Sequence, residues 1–225
     1  MKEITISPVT RIEGHAGVRI YLNDRGEVDS AHFQVVELRG FEKFLVGAAI
    51  EEAPRITPRI CGICPSAHHL AAAKATDRIF GVTPPATGKN LRELLGLGQF
   101  VHSHALHFFM LAAPDFILSP DAPPEERNVV GLARHSPDIA RKAITVRKFG
   151  QRLTEAVGGK PIHPANALPG GMSAPLTEGK RDELAAMADE ALGIAREGWE
   201  IAKNLLDGVD TEIGAVRTGF MGMTN

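Results

Sequence analysis

Two cysteines among 225 residues leave no room for a disulfide framework, so the default setting is a reducing cytoplasm. Aromatic residues are also scarce, at 5% with one tryptophan and one tyrosine, while Ala, Gly and Leu are plentiful. That balance favours close-packed helices over a β-sandwich. No apolar run approaches the length of a membrane-spanning helix, and Met1-Lys2-Glu3-Ile4 does not open a signal peptide. A formal net charge of −2 gives no reason to expect nucleic acid or an anionic membrane surface as partner. Internal repeats and low-complexity tracts are absent as well. What remains is a chain long enough to bury a substantial core, read as a single domain over residues 1–225 with a β-rich start (1–40) and a helical remainder (41–225).

The chemistry is concentrated in one stretch, Arg59-Ile60-Cys61-Gly62-Ile63-Cys64-Pro65-Ser66-Ala67-His68-His69, which holds both cysteines. Pro65 is followed by the strong helix formers Leu70 to Ala75, and proline suits the first position of a helix. This makes Cys64 the N-cap and places both sulfurs at the positive end of a helix dipole, where a thiol pKa is expected to fall. Two thiolates on one tight turn suit nickel, zinc, copper(I) or iron–sulfur units. His68 falls one helical turn beyond Cys64 on the same side. Spacing alone does not choose the metal, and two blander readings stand beside it. One is half of a structural zinc site; the other is a redox disulfide at a helix start. Pro54 and Pro58 on the approach to Cys61 argue against the central parallel strand that the redox motif normally follows.

Elsewhere the chain reads in order as a hairpin followed by helices. Val18, Ile20 and Leu22 alternate with polar neighbours, Asn23 to Gly26 is a turn, and 28–38 is the returning strand. Glu13, between Ile12 and Gly14, is either a carboxylate carried into a confined space or an exposed loop acid. A short helix begins near Phe41, and 51–59 forms a helical turn before the cysteines. The helix from Pro65 should stop near Phe80, with Gly81 as left-handed cap and Pro84-Pro85 beyond. A long helix follows from Gly88 to about Ala113; its His104 and His107 share a face, as packed histidines or as a metal pair. Residues 119–128, with three prolines, form an exposed excursion. Ser136-Pro137 starts a helix ending at Gly158-Gly159, and Thr177 caps a last helix, Glu178 to Leu206.

Four stretches together carry a family resemblance: Arg11-Ile12-Glu13-Gly14-His15, Arg39-Gly40-Phe41-Glu42, the cysteine segment with His68, and Gly159-Lys160-Pro161-Ile162-His163-Pro164 with Pro169-Gly170-Gly171. In order and spacing this chain resembles the large subunit of nickel–iron hydrogenases along almost its whole length. The segments beginning at Arg39 and at His68 point to the cytoplasmic, viologen-reducing branch of methanogenic archaea.

The resemblance implies an α+β fold, predominantly helical, with a small N-terminal antiparallel sheet packed on long helices. It implies a nickel–iron centre held by four cysteines, with carbon monoxide and cyanide on the iron, and reversible heterolytic oxidation of dihydrogen. By the same resemblance Cys61 is a terminal nickel ligand, Cys64 a bridging ligand and His68 a donor to a bridging sulfur. Glu42 helps hold a separate magnesium or iron ion, and Glu13 is the first proton acceptor beyond the cysteines. Electrons leave through a small iron–sulfur subunit, then an electron-transfer subunit, then a heterodisulfide reductase system. Two departures stand out. The family's second Cys-x-x-Cys is absent, and Ser103 replaces an acid found between the two histidines of many membrane-bound relatives. The first departure, with an apolar end to the chain, suggests an N-terminal portion of a longer subunit. The rival readings are a non-catalytic relative of the complex I quinone-site subunit, which usually lacks the cysteines, and a structural zinc or redox-disulfide protein.

Overall fold

The computed structural model describes residues 2–119, 121–209 and 219. Three antiparallel strands open the chain in the order β1 (Lys2–Ile6), β2 (Ala16–Leu22) and β3 (Val28–Val35). The β2–β3 hairpin turns at Asn23, whose side-chain oxygen accepts the N–H groups of Arg25 and Glu27 at 2.9 and 3.0 Å. Gly26 there takes φ +81°, a conformation that glycine adopts without a Cβ clash. β1 is not anticipated by the sequence reading, although Ile4 and Ile6 alternate as a strand requires. It is short and followed at once by Pro8. The returning strand also ends three residues earlier than expected, at Val35.

The expected α+β composition, largely helical with a small sheet, is what the chain adopts. One face of the sheet, carrying Ile4, Ile6, Phe33 and Val35, remains exposed. The 11–13 loop that follows β1 is tied to the helices where Arg11 reaches across to Asp115.

Helical structure begins with α1 (Phe41–Leu45), a 3-10 turn at Ile50–Glu52, α2 (Ala53–Ile56) and a second 3-10 turn at Thr57–Ile60. α3 (Pro65–Phe80) has Cys64 as N-cap, Pro65 in the first turn and Gly81 in the left-handed cap at φ +63°, as the sequence reading expects. α4 (Ala86–Leu106) does not stop near Ala113. It passes through a π-helical turn (His107–Ala112) into α5 (Ala113–Ile117). α6 (Val129–His135) goes unforeseen, though Asn128 caps it by accepting the N–H groups of Val130 and Gly131. α7 (Pro137–Gly158) and α8 (Glu178–Leu206) have the expected bounds within a residue, with Gly159 and Thr177 as caps. Between them, β4 (Ala167–Leu168) and β5 (Gly171–Met172) make a minimal hairpin around Pro169 and Gly170, the latter at φ +84°. No helix of the described residues is long and apolar enough to cross a membrane.

The core lies where α4, α7 and α8 meet. Leu95, Leu153, Val157 and Leu184 form one buried cluster, and Ala105, Phe109, Val146 and Ile194 are in a second. α4 and α7 touch backbone to backbone at Gly98 and Gly150. A Cβ on Gly150 would lie 2.6 Å from the His102 nitrogen and 2.8 Å from the Gly98 carbonyl oxygen. Gly150→Ala will therefore push two helices apart and destabilise the fold by about 1–3 kcal/mol, read as a lower denaturant midpoint at unchanged slope.

Candidate functional site: the cysteine turn

The chain enters the turn through an extended Cys61 (φ −143°, ψ 138°) and leaves it as α3 begins at Cys64. Cys61 Sγ accepts the N–H of Ile63 at 3.3 Å and of Cys64 at 3.2 Å, so the sulfur sits in the bend of its own turn. Both cysteines are free and half-buried.

Three side chains from separate elements fix the backbone around it. His69, on α3 and 1% exposed, donates from Nδ1 to the Pro54 carbonyl at 2.6 Å. Its Nε2 accepts the Ala167 N–H at 2.9 Å, which sets the tautomer and requires a neutral ring. Burial lowers its pKa, and the charge of Arg92 works in the same direction against the opposing bond to Pro54. His163 donates to the Pro58 carbonyl at 3.0 Å from φ +56°, and Gln99 donates to the Ile63 carbonyl at 2.7 Å. A non-glycine residue in the left-handed region is strained, and such strain persists only where surrounding contacts hold it.

Arg11 is strained in the same way, at φ +62°. Its guanidinium bonds both carboxylate oxygens of Asp115 at 3.1 and 3.3 Å and also reaches the Arg127 carbonyl. Two residues on, this loop carries Glu13 to the turn, with Oε1 at 3.7 Å from Cys61 Sγ. Glu13 is an exposed loop acid rather than a carboxylate in a confined space, and its side chain still comes up to a sulfur. His68 lies one turn beyond Cys64, half-buried, its carbonyl accepting the Thr57 hydroxyl at 3.2 Å. Glu42 stands apart in the first turn of α1, exposed and without a hydrogen-bond or ionic partner among the described residues. His104 donates to the Phe100 carbonyl of its own helix at 2.9 Å, and no group of three potential metal ligands forms among the described residues.

The expectation of a lowered thiol pKa is overturned at Cys64. Burial pushes it up to about 12, and the hydrogen bond with Cys61 and the electrostatic influence of Cys61 and Glu13 add to the rise. The dipole of α3 is outweighed because burial disfavours the thiolate and the acidic groups beside it oppose a negative charge on Cys64. A bound cation reverses that balance by neutralising the cluster.

Behind α3 lies an ion pair that the sequence reading missed. Asp77 and Arg92 meet with side chains 10% and 6% exposed. Asp77 Oδ1 also accepts the Gly170 N–H at 2.8 Å, and Arg92 donates to the carbonyls of Leu168 and Gly171 at 2.7 and 3.1 Å. The Pro-Gly-Gly hairpin is therefore pinned to α3 and α4, and through Ala167 and His69 to the approach of Cys61. Burial alone raises the Asp77 pKa, but the bonds from Arg92 and Gly170 and the Arg92 charge outweigh it and lower the net value. A depressed carboxylate pKa contributes stability above its unfolded value, lost as pH falls through the folded one. Asp77→Asn will cost about 3 kcal/mol at neutral pH, because it leaves a buried guanidinium without its anion. The mutant's stability will also change less than the parent's between pH 5 and pH 2, which acid titration of the unfolding midpoint measures.

Two free thiols on one turn beside a carboxylate, on a largely helical α+β scaffold, have the chemistry of a soft-metal chelate. Comparison with known proteins gives that chemistry a family. A family model described as nickel-dependent hydrogenase matches residues 39–124, and one described as HoxL-like matches residues 3–38. A vhu subunit of the F420-non-reducing hydrogenase of Methanocaldococcus jannaschii is 49% identical over 99% of this chain and 54% of its own length. Among solved structures, an NAD+-reducing [NiFe]-hydrogenase in the H2-reduced state superposes with a TM-score of 0.88. It is 45% identical over 92% of this chain and 46% of that one. The Ni-Fe-Se hydrogenase of D. vulgaris Hildenborough superposes at 0.74, with 32% identity over 88% of this chain and 43% of that one. The chain belongs to the nickel-dependent hydrogenases and corresponds to the N-terminal portion of their large subunit. It spans about half the length of the curated relatives it matches.

Proposed function

We propose that this chain, as one domain, forms the N-terminal part of a hydrogenase catalytic subunit that oxidises dihydrogen reversibly to two protons and two electrons. The observation that carries the reading is the convergence of Cys61, Cys64 and Glu13, with a carboxylate 3.7 Å from a free thiol on a clamped turn. Their donor set fits half of a four-thiolate nickel site: two sulfurs held on one bend, with no third ligand among the described residues. Cys61 and Cys64 would hold the nickel, with Cys64 shared with an iron carrying carbon monoxide and cyanide. The nickel–iron centre, when bound, supplies the redox metals and the Lewis acidity that dihydrogen cleavage needs. The protein's own residues do the rest. Glu13 takes up a proton released at the sulfurs and passes it outward along an exposed loop. His68 would donate to a bridging sulfur, and Glu42 would help bind a separate magnesium or iron ion. Electrons would leave through an iron–sulfur subunit, then through an electron-transfer subunit to a heterodisulfide reductase system, in the cytoplasm. The relatives are named as single subunits of F420-non-reducing hydrogenases, one of them as an iron–sulfur subunit, which supports a multi-subunit enzyme.

The test is complementation. The 225-residue chain purified alone will hold no stable nickel, because two thiolates leave the coordination incomplete. With a polypeptide bearing a second Cys-x-x-Cys and the maturation machinery supplied, nickel will be retained and viologen-coupled dihydrogen oxidation will appear. Full nickel with infrared cyanide bands in the isolated chain overturns the half-site. No nickel in the complemented complex overturns the proposal.

A further inference from the structure

Gln99 is the one amide side chain on the buried side of α4, and its Nε2 donates to the Ile63 carbonyl at 2.7 Å. Its place along the helix is firm. At the neighbouring Gly98, α4 lies so close to α7 that a Cβ would meet the Leu153 and Thr154 side chains at 3.1 Å. The bond lands on a particular peptide group. The Ile63 carbonyl and the Cys64 N–H belong to one planar trans unit, so they point in opposite directions. The carbonyl takes the Gln99 amide, and the N–H is directed at Cys61 Sγ at 3.2 Å. This peptide is held at both edges, and rotating its plane breaks both bonds together. A donor on the carbonyl also polarises the peptide and strengthens its N–H as a donor.

From this arrangement we infer that Gln99 is a positioning residue for the Cys61 sulfur. Through the Ile63–Cys64 peptide it keeps an N–H on that sulfur, and so limits how much electron density the sulfur gives to a metal. The inference rests on the reading of Cys61 as a nickel ligand. An N–H donor on a thiolate draws density away from the metal bond, and hydrogen bonds to ligating sulfurs help to set a centre's reduction potential. The other donor to Cys61 Sγ, the Ile63 N–H at 3.3 Å, belongs to the preceding peptide, which Gln99 does not bond. His69 and His163 act differently. They hold the carbonyls of Pro54 and Pro58, on peptide groups that send no N–H to a sulfur. Of the three side chains that clamp the turn's backbone, Gln99 alone is one peptide away from a ligand atom.

The experiment uses Gln99→Met in the complete subunit complex, since methionine keeps the length and helix preference of glutamine but has no N–H to donate. Two quantities are measured on parent and variant: amide exchange at Cys64, and the midpoint potential of the nickel couple, with nickel content determined on the same samples. Exchange at Cys64 will speed about tenfold while Ile194 in α8 keeps the parent rate. Nickel content will match the parent, and the midpoint potential will move to a lower value, because a sulfur that loses a donor stabilises the oxidised metal. Gln99→Asn keeps an amide in the buried site but withdraws it by one methylene. It will shift both quantities in the same directions, and it decides the matter should the methionine variant not assemble. Unchanged Cys64 exchange overturns the positioning. Faster exchange with an unchanged potential overturns the effect on the sulfur and leaves Gln99 a structural bond. A parent complex without nickel instead overturns the proposed function, and the exchange measurement still decides whether Gln99 holds the peptide.

Discussion

Replacing Cys64 with serine in the complete complex will abolish nickel retention and dihydrogen oxidation together. A serine hydroxyl is a hard donor with a far higher pKa than a thiol, and it cannot form the soft bond that a nickel or iron site selects. The local structure gives the substitution nowhere to hide. Cys64 is the N-cap of α3, it donates its own N–H to Cys61 Sγ at 3.2 Å, and its carbonyl accepts from Ala67 and His68. Serine satisfies that backbone pattern as well as cysteine does, and is itself a favoured N-cap. The fold will therefore survive, with an unfolding midpoint close to the parent's, while metal is lost. Cys61→Ser will also abolish turnover, with some iron retained if Cys64 alone is the shared ligand. The measurement is nickel and iron content beside the far-ultraviolet thermal melt of the same preparation. Normal nickel in either mutant removes that cysteine from the ligand set.

Glu13→Gln carries the second large effect, and it separates proton transfer from assembly. Glutamine keeps the size and hydrogen-bonding reach of the side chain but cannot accept and pass on a proton. The loop that presents residue 13 is held through Arg11 and Asp115, not through Glu13, so the mutant loop will keep its place. Nickel content is expected to match the parent while turnover falls by a factor of about a hundred or more. Glu13→Asp shortens the reach by one methylene from a starting separation of 3.7 Å and will keep part of the activity. Full nickel with near-normal turnover removes Glu13 from the mechanism. Loss of nickel makes its contribution structural.

Most of the fold could be read along the chain, and for local reasons. Pro65, Gly81, Pro137, Gly159 and Thr177 punctuate α3, α7 and α8 by backbone geometry that acts within a few residues. The apolar spacing of Leu184, Ala191 and Ile194 gives α8 its buried stripe in the same way. Where the reading failed, the deciding contact was distant or the signal short. β1 exists by pairing with β2, and the π-helical turn at 107–112 replaces a boundary expected near Ala113.

The cysteine turn divides along the same line. Sequence by itself determined that two sulfurs lie on one bend at a helix start, because three covalent links and a proline fix that much. It could not determine that the Cys64 thiol is raised, since burial and the nearness of Glu13 come from segments far apart in the chain. Nor could it show that His69 joins Pro54 to Ala167, that Gln99 and His163 hold the turn's flanking carbonyls, or that Asp77 and Arg92 pin the Pro-Gly-Gly hairpin. Those partners lie between 15 and 105 residues apart. Hydrogen bonds and desolvation act over a few ångströms of space, so only the tertiary structure could decide them.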